Sequence, residues 1–214
     1  MVRVILFDID GTLLSERPLV MLFLPQVYAE IARRMGVSRG EARRIFLREV
    51  ERRHGTYEWH DWNFFFKLFG LSLRFEELLK KYPHKIEVFP GVQETLKQLS
   101  KEYKLGIVTS GPEYQRLKLR LAGLLEFFDA VVTRDDAHAI KPEPRIFLTA
   151  LKALNAKPEE TVMVGDSLEQ DILGAKALGM RAVWVNREGE KGYNLPDAEI
   201  KTFSELPKVL GWLQ

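Results

Sequence analysis

The chain begins with a short apolar run, Val2 to Phe7, that is rich in β-branched residues and ends in acidic ones. Such a run is typical of a strand buried on both faces of a parallel sheet. From about residue 88 onward, apolar strand-like runs alternate with segments of helical periodicity. The predicted strands there are Leu105–Thr109, Ala130–Thr133, Thr161–Gly165 and Ala182–Val185, and the predicted helices are Val92–Tyr103, Glu113–Ala122, Pro144–Leu154 and Asp171–Leu178. Strands separated by helices of this length imply right-handed crossovers and a parallel sheet covered on both faces.

Between these parts, from Pro18 to about Tyr82, the pattern is helical. Glycine and serine residues divide this stretch into Leu19–Met35, Arg39–His54, Trp59–Phe69 and Arg74–Tyr82. The helical block therefore interrupts the α/β pattern directly after its first strand. We predict an α/β fold in which residues 1–15 and 88–214 form a three-layer core around a parallel sheet, and residues 16–87 form an inserted α-helical cap domain.

Composition narrows the function only slightly. The 214 residues carry a formal net charge of +2, so no strong overall field favours nucleic acid or anionic membranes as partners. The absence of cysteine excludes disulfides, thiolate catalysis and cysteine-ligated metals, and leaves oxygen ligands and carboxylate chemistry. No apolar run approaches the ~20 residues of a membrane-spanning helix, and the apolar start is unlike a signal peptide. We expect a cytoplasmic protein without membrane or nucleic-acid partners, monomeric by default, with a dimer possible.

Polar residues collect where the predicted parallel strands end, which is where open α/β sheets bind ligands. Asp8 and Asp10 follow the first strand, and Gly11 lets the backbone turn there. The later strand ends contribute Thr109, Ser110, Gly111, Lys141, Asp166 and Asp171. The carboxylates of Asp8, Asp10 and Asp166, brought together, would need a divalent cation to offset their repulsion, and a site of oxygen ligands favours Mg²⁺. Mg²⁺ in turn points to phosphate, whose spread charge the metal, a lysine, a hydroxyl and backbone N–H groups can match.

Each of these residues also has an ordinary structural interpretation. An Asp-x-Asp pair can form a surface turn, Thr109 can cap a strand end, and Lys141 can be a solvated loop lysine. Asp166 can be the N-cap of the next helix, and Asp171 can favour its positive first turn. The catalytic interpretation is favoured over these structural ones because four motifs occur in order, each at a strand end.

These four motifs are Asp8–Leu13, Thr109–Gly111, Lys141–Pro142 and Gly165–Asp171. In this order and at these separations they resemble the motifs of the haloacid dehalogenase (HAD) superfamily, in the class whose helical cap is inserted between the first and second motifs. The resemblance covers residues 1 to about 15 and about 88 to 205, and it extends to the cap in architecture only. It implies a Rossmann-like core and a Mg²⁺-dependent phosphatase that hydrolyses small phosphorylated metabolites through an aspartyl-phosphate intermediate.

The resemblance assigns catalytic roles to Asp8, Asp10 and Lys141, and metal-binding roles to Asp8, Asp10 and Asp166. Asp8 would be the nucleophile. Asp10 would be the general acid and base, which protonates the leaving oxygen and then activates the hydrolytic water. Mg²⁺ would be held by the Asp8 carboxylate, the Asp10 backbone carbonyl and Asp166.

The remaining motif residues would bind the phosphate or support the groups that bind it. Thr109 would contact the phosphoryl oxygens, together with backbone donors at Ser110 and Gly111. Lys141 would hold the nucleophile and the phosphate while offsetting their charge. Asp171 would steady the Lys141 amine or a metal-bound water.

Other functions stay open within and beyond this family. Dehalogenation in the family proceeds without the second aspartate and without metal, so Asp10 argues against it. A phosphomutase keeps the same core residues and differs in how its cap excludes water, although hydrolysis is the commoner outcome. A catalytically idle relative that binds a phosphorylated ligand or a protein partner is also possible, but every catalytic position is filled. A receiver-type signalling domain would need neither the helical insert nor Asp10.

Within the predicted cap, the arginine-rich second helix is typical of a solvated helix packed on one side rather than a nucleic-acid surface. The aromatic cluster at positions 59–66 is more typical of a cap core than of a substrate platform. His54, His60 and Asp61 are expected to be exposed, with no assigned partner. Because a cap lies over its active site and excludes water, we expect one of its residues to enter the site. The candidates are Arg17, Trp59 and His60.

Overall fold

The fold is that of a computed structural model, which describes residues 1–192 and 195–213 of the chain. The strands in chain order are β1 (Val4–Phe7), β2 (Leu14–Ser15), β3 (Glu87–Val88), β4 (Lys104–Val108), β5 (Ala130–Val132), β6 (Thr161–Gly165), β7 (Arg181–Val185) and β8 (Ala198–Ile200). Within these residues, six parallel strands form the main sheet in the order β5-β4-β1-β6-β7-β8. The first strand of the chain therefore lies in the middle of the sheet.

The helices flank this sheet or form the insert. They are α1 (Arg17–Met35), α2 (Arg39–Glu51), α3 (Trp62–Leu68), α4 (Phe75–Lys81), α5 (Val92–Leu99), α6 (Tyr114–Leu121), α7 (Arg134–Ala137), α8 (Pro144–Leu154), α9 (Gly174–Ala177) and α10 (Leu206–Trp212). A π-helical segment, Leu168–Leu173, precedes α9. Short 3-10 turns span Pro83–Lys85, Leu125–Phe127, Pro158–Glu160 and Phe203–Glu205.

The central strand β1 shows why the sheet is covered on both faces. Ile5 and Phe7 belong to one buried apolar cluster, whereas Val4 and Leu6 belong to a second one. Successive side chains of a strand point to opposite faces, so a fully apolar strand requires helices on both sides. The predicted α/β class, with a three-layer core around a parallel sheet and a helical insert, is confirmed.

The helical insert, α1 to α4, leaves and re-enters the core through two short strands. β2 and β3 pair antiparallel, with Leu14 opposite Val88 and Ser15 opposite Glu87. α1 ends at Gly36, whose φ of 68° is the left-handed conformation that terminates a helix at low cost. Among the described residues, no helix has both the length and the apolar character needed to cross a membrane.

Several predicted element boundaries are wrong, and side-chain caps explain two of them. The third helix begins at Trp62 rather than Trp59, because Asp61 accepts a hydrogen bond from the Phe64 amide at 3.2 Å and caps the helix. The predicted helix Asp171–Leu178 is instead a π-helical segment followed by the short α9. Its N-cap is Ser167, which accepts from the Gln170 amide at 3.1 Å.

The last part of the chain also contains elements that the pattern did not predict. β8 and α10 are short, with three and seven residues. β8 has exposed Glu199 at its centre, as suits a strand at the edge of the sheet. Such elements depend on the neighbours against which they pack, because their own sequences carry little periodicity.

Candidate active site

The ends of three neighbouring strands bring the first predicted residues together. β1 lies between β4 and β6, with Phe7 opposite Ile107 on one side and Val164 on the other. Asp8 follows β1 directly, and its backbone N–H donates to the Val164 carbonyl at 3.0 Å. Thr109 and Asp166 follow β4 and β6 in the same way. The parallel arrangement therefore places all three side chains at one edge of the sheet.

Lys141 joins two of the aspartates. Its Nζ lies 2.5 Å from Asp8 Oδ1 and 2.6 Å from Asp171 Oδ1, and all three side chains are buried. The Lys141 backbone N–H also donates to the Ser110 hydroxyl at 3.0 Å. Burial by itself would lower the pKa of the lysine, but the charges of Asp171 and Asp8 outweigh it and raise that pKa above its ordinary value. Lys141 therefore stays charged, and it links the first motif to the last.

Three carboxylates crowd around this lysine. Oxygen atoms of Asp8, Asp166 and Asp171 all lie within 4.8 Å of one another. Burial raises the pKa of the Asp8 carboxyl to about 8, against the opposing charge of Lys141. Burial and the charge of Asp171 raise the pKa of Asp166 to about 6, although the Thr12 hydroxyl donates to it at 3.0 Å. The cluster therefore carries more negative charge than one lysine offsets, and it consists of the hard oxygen donors that Mg²⁺ prefers.

The carboxylate of Asp10 is paired with groups outside this cluster. Its carboxylate oxygens lie 2.6 and 2.7 Å from the Nζ of Lys118, and one of them accepts from Gln115 Nε2 at 2.9 Å. Lys118 also lies 2.7 Å from Glu16 Oε2. Burial would lower the pKa of Lys118, but Asp10 and Glu16 raise it, so the lysine stays charged. Any contribution of Asp10 to a metal site is therefore left to its backbone carbonyl, as the resemblance implies.

Lys118, Gln115 and Glu16 are functional candidates that the sequence analysis missed. Lys118 lies in a basic stretch of α6 that resembles a solvated helix face. It comes four residues after Tyr114, which is also buried, so the two side chains lie on the same face of the helix. The signal in the sequence that could have identified Lys118 was a charged residue at a helical position that faces the core.

The predicted phosphate-binding residues line one small cavity. The Gly111 N–H donates to the Thr109 hydroxyl at 3.1 Å, and the Ser110 hydroxyl donates to Gln170 Oε1 at 3.3 Å. The cavity has a volume of about 200 Å³, which is large enough for a phosphoryl group. Its walls include Asp8, Asp10, Thr109, Ser110, Gly111, Lys141, Asp166, Asp171 and, from the insert, Trp59 and His60. All eight predicted site residues thus share one cavity with two of the three candidates from the cap.

A second cavity of about 260 Å³ adjoins the first and lies between the insert and α6. Its lining includes Asp10, Trp59, His60, Trp62, Phe65, Tyr114 and Gln115. Burial and the charge of Lys141 lower the pKa of His60 to about 4, so its imidazole is neutral near pH 7. Within the described part of the chain, Gln115 Oε1 and His60 Nε2 are buried atoms without a hydrogen-bond partner. Buried polar atoms are rarely left unpaired in proteins, and a bound ligand or an ordered water can supply the partner here.

The aromatic cluster of the insert is divided between core and cavity. Phe65 and Phe66 are buried, as expected of a cap core. Trp59 and Trp62 are only partly buried and form cavity wall. Both tryptophans and Phe65 are therefore placed to contact a bound molecule, whereas Phe66 belongs to the core of the insert.

The expectation of exposure is wrong for both His60 and Asp61, whose side chains are partly buried, and Asp61 also has a partner. Its carboxylate lies 2.5 Å from the Nη2 of Arg134, which is buried and needs a counter-charge. His54 is exposed and packs against the Trp59 ring, with 4.0 Å between ring centroids. Arg17 is exposed and lines a different cavity, of about 300 Å³, together with Arg187 and Asp166.

Comparison with known proteins gives consistent matches along the whole chain. A family model described as haloacid dehalogenase-like hydrolase matches residues 2–179. The chain is 34% identical to the glyceraldehyde 3-phosphate phosphatase of Pyrococcus furiosus, over 100% of this chain and 93% of that protein. It is 31% identical to the pyrophosphatase PpaX of Halalkalibacterium halodurans, over 98% of this chain and 97% of that protein.

Solved structures match as well. The crystal structure of a HAD phosphatase from Thermococcus onnurineus is 60% identical, with a TM-score of 0.96 over 98% of both chains. That of a 2-haloacid dehalogenase from Pseudomonas syringae is 27% identical, with a TM-score of 0.73 over 100% of both chains.

Proposed function

Since the chain belongs to the haloacid dehalogenase-like hydrolase family and is a hydrolase, we propose that it is a Mg²⁺-dependent phosphatase acting on small phosphorylated metabolites through an aspartyl-phosphate on Asp8. The observation that carries this proposal is the buried Asp8 carboxylate, held 2.5 Å from Lys141 in a cavity of about 200 Å³. Two relatives, one named a glyceraldehyde 3-phosphate phosphatase and one a HAD phosphatase, support phosphate ester hydrolysis. Phosphate release by the wild type and by Asp8→Asn tests it.

The proposed reaction has two steps in which the protein's own groups move the proton. In the first, an Asp8 oxygen bonds to phosphorus, the bond from phosphorus to the leaving oxygen breaks, and Asp10 gives that oxygen a proton. In the second, Asp10 takes a proton from a water that attacks phosphorus, and the bond to Asp8 breaks to release phosphate. Lys141 and the Thr109 hydroxyl hold the phosphoryl oxygens while the charge moves.

The acidic cluster fits a divalent cation. We propose that Mg²⁺ is held by the carboxylates of Asp8 and Asp166 and the backbone carbonyl of Asp10, with Asp171 holding Lys141 beside it. Bound there, the metal would screen the negative charge of the nucleophile from that of the phosphoryl group.

We expect Mg²⁺ to raise the melting temperature more at pH 8 than at pH 5. The pKa values of about 8 for Asp8 and about 6 for Asp166 mean that both carboxyls are largely protonated at pH 5 and that deprotonation increases toward pH 8. Protons therefore compete with the metal at the lower pH. Thermal unfolding with Mg²⁺ or EDTA at both pH values measures the effect, and phosphate release should require the metal.

Asp166→Asn should reduce the Mg²⁺-induced rise at pH 8. Glu102→Gln, an exposed acid beyond the opposite end of the sheet, should leave it unchanged. A rise of equal size at both pH values would contradict the metal assignment.

We further propose that residues 16–87 act as the cap over a core of residues 1–15 and 88–214. Of the two adjoining cavities, the larger one, of about 260 Å³, would receive the leaving group. Asp10 lines both cavities, so the bond to be cleaved would lie where they meet. Trp59 and His60 from the insert also line both. The unpartnered Gln115 Oε1 and His60 Nε2 offer hydrogen-bond positions there. The tryptophan walls favour leaving groups with a flat or apolar part.

Trp59→Ala should therefore impair ring-bearing substrates selectively. We expect kcat/KM for 1-naphthyl phosphate to fall about tenfold, the equivalent of one lost aromatic contact, and that for glycerol phosphate to fall much less. Steady-state kinetics on the two esters measures the difference. Trp212→Ala provides the control, because that tryptophan is exposed on α10. An equal loss on both esters would argue against the leaving-group assignment.

A further inference from the structure

Lys118 is a buried cation to which the proposed reaction gives no role. Its side chain is 0% exposed, and its Nζ lies 2.6 and 2.7 Å from the two carboxylate oxygens of Asp10. Removing an ammonium group from water is costly unless the group is paired and hydrogen-bonded. Lys118 and Asp10 therefore hold each other in one arrangement inside the protein.

Glu16, at the start of the insert, is the second partner of Lys118, and it extends the contact to Trp62 on α3. One Glu16 oxygen lies 2.7 Å from the lysine Nζ, and the other accepts from the indole N–H of Trp62 at 2.7 Å. Trp62 forms part of the larger cavity's wall, and its backbone N–H donates to the Tyr114 hydroxyl at 3.1 Å. A continuous chain of hydrogen bonds thus runs from the cavity wall through Glu16 and Lys118 to Asp10.

This chain determines where the Asp10 carboxyl lies. Lys118 and Gln115, about one turn apart on α6, both donate to it. Its side chain is still 38% exposed, and it lines both cavities. A group that gives a proton to a leaving oxygen must lie within hydrogen-bond reach of that oxygen.

We propose that Lys118 is the positioning residue of Asp10, which it holds at the boundary of the two cavities, with Glu16 as the counter-ion tied to Trp62. This inference rests on the proposed function, because it takes Asp10 as the general acid and base. Lys118 does not touch the substrate in this role and acts only through Asp10. Phosphoryl transfer to Asp8 does not by itself require a buried lysine on α6.

Positioning of Asp10 matters most when the leaving oxygen needs a proton. The phenolate ion is a poor leaving group and benefits from protonation, whereas p-nitrophenolate departs readily without it. Loss of Lys118 should therefore lower kcat/KM for phenyl phosphate far more than for p-nitrophenyl phosphate. A lysine that only stabilises the fold would lower both by the same factor. Since kcat/KM reports the steps up to the first chemical one, it isolates the proton given to the leaving group.

The experiment compares three variants with the wild type on these two esters, with Mg²⁺. Lys118→Met removes the charge and keeps the chain length. The double variant Lys118→Met/Glu16→Gln also removes the charge that would be left unpaired, which makes it the better folded form if the single variant is unstable. Arg120→Met is the matched control, because Arg120 is exposed on the same helix.

We expect kcat/KM for phenyl phosphate to fall about a hundredfold in the Lys118 variants, in the lower range of what a general acid contributes, and that for p-nitrophenyl phosphate to fall at least tenfold less. The control should match the wild type. Equal losses on both esters, or no loss, would overturn the proposal, because each means that Lys118 does not act through Asp10. Failure of the double variant to fold would also overturn it, because Lys118 and Glu16 would then be residues that the fold itself requires. A wild type that releases no phosphate, or an Asp8→Asn variant that still does, would instead contradict the proposed function.

Discussion

Asp8→Asn is expected to lower phosphate release by at least about four orders of magnitude, as removal of a catalytic nucleophile does in other enzymes. An amide oxygen cannot form the bond to phosphorus that the Asp8 carboxylate forms. The fold should be preserved, because asparagine has the shape of the neutral aspartic acid. Release of inorganic phosphate from p-nitrophenyl phosphate measures the loss. Rapid quenching and mass spectrometry should also find a phosphorylated wild type and no phosphorylated variant.

The same variant has an expected pH signature in stability. In the metal-free wild type, burial raises the pKa of Asp8 to about 8, so the folded protein binds more protons than the unfolded chain between pH 3.8 and about 8. Stability from this group is present below pH 3.8 and is lost as pH rises through about 8. Asparagine cannot ionise, so Asp8→Asn in EDTA should be less sensitive to rising pH. If Asp8→Asn released phosphate at the rate of the wild type, Asp8 could not be the nucleophile.

A phosphomutase would give a different result in the first assay. It would isomerise a phosphorylated sugar and release little phosphate, although Asp8→Asn would still inactivate it. A catalytically idle relative would release none from any ester while remaining folded. The wild type on a panel of phosphorylated metabolites therefore separates hydrolysis from both alternatives.

Lys141→Met is expected to abolish activity and to lower the free energy of unfolding by about 3–5 kcal/mol, as loss of one partner of a buried ion pair does. The variant leaves the carboxylates of Asp8, Asp166 and Asp171 within 4.8 Å of one another without the ammonium group that now contacts two of them. Denaturant unfolding in EDTA measures the loss. The loss in free energy of unfolding should be smaller at pH 5 than at pH 8, because the raised pKa values of Asp8 and Asp166 leave both carboxyls largely protonated at pH 5.

Lys176→Met is the matched control for this prediction. Lys176 forms a partly exposed ion pair with Asp197 at 2.8 Å, and such pairs contribute at most about 1 kcal/mol. Mg²⁺ should restore part of the stability of Lys141→Met and none of its activity, because the metal can offset the charge but cannot hold the phosphoryl group as the lysine does. Equal destabilisation by the two substitutions would contradict the role of Lys141 as the buried counter-charge of these aspartates.

Much of the core could be predicted from local patterns of apolar and polar residues in the chain. The strand Thr161–Gly165 and the helix Pro144–Leu154 have the bounds that the sequence predicts, because each is a strongly apolar or strongly periodic segment with clear end signals. Positions that follow such strands could be identified in the same way. Asp8, Thr109, Lys141 and their neighbours could therefore be predicted to lie near one another from the sequence, since parallel strands must end at a common edge, and in the structure they line one cavity.

What the sequence could not show is the direction of side chains between elements that are distant along the chain. Lys118 and Asp10 are 108 positions apart and meet because α6 packs beside the end of β1. Trp62, at the start of α3, and Glu16, just before α1, are 46 positions apart and also meet only in the folded chain. Helical periodicity indicates a buried face but not its neighbour.

The sequence alone determined the fold class, the helical insert and the acidic, lysine-bearing end of the sheet, because hydrophobic periodicity and strand-end residues are local properties of the chain. The tertiary structure decided that Asp10 turns to Lys118, that Asp171 joins Asp8 and Asp166, and that tryptophans of the insert close the cavity. These contacts depend on how whole elements pack against one another, and packing is determined by the complete fold rather than by any segment of it.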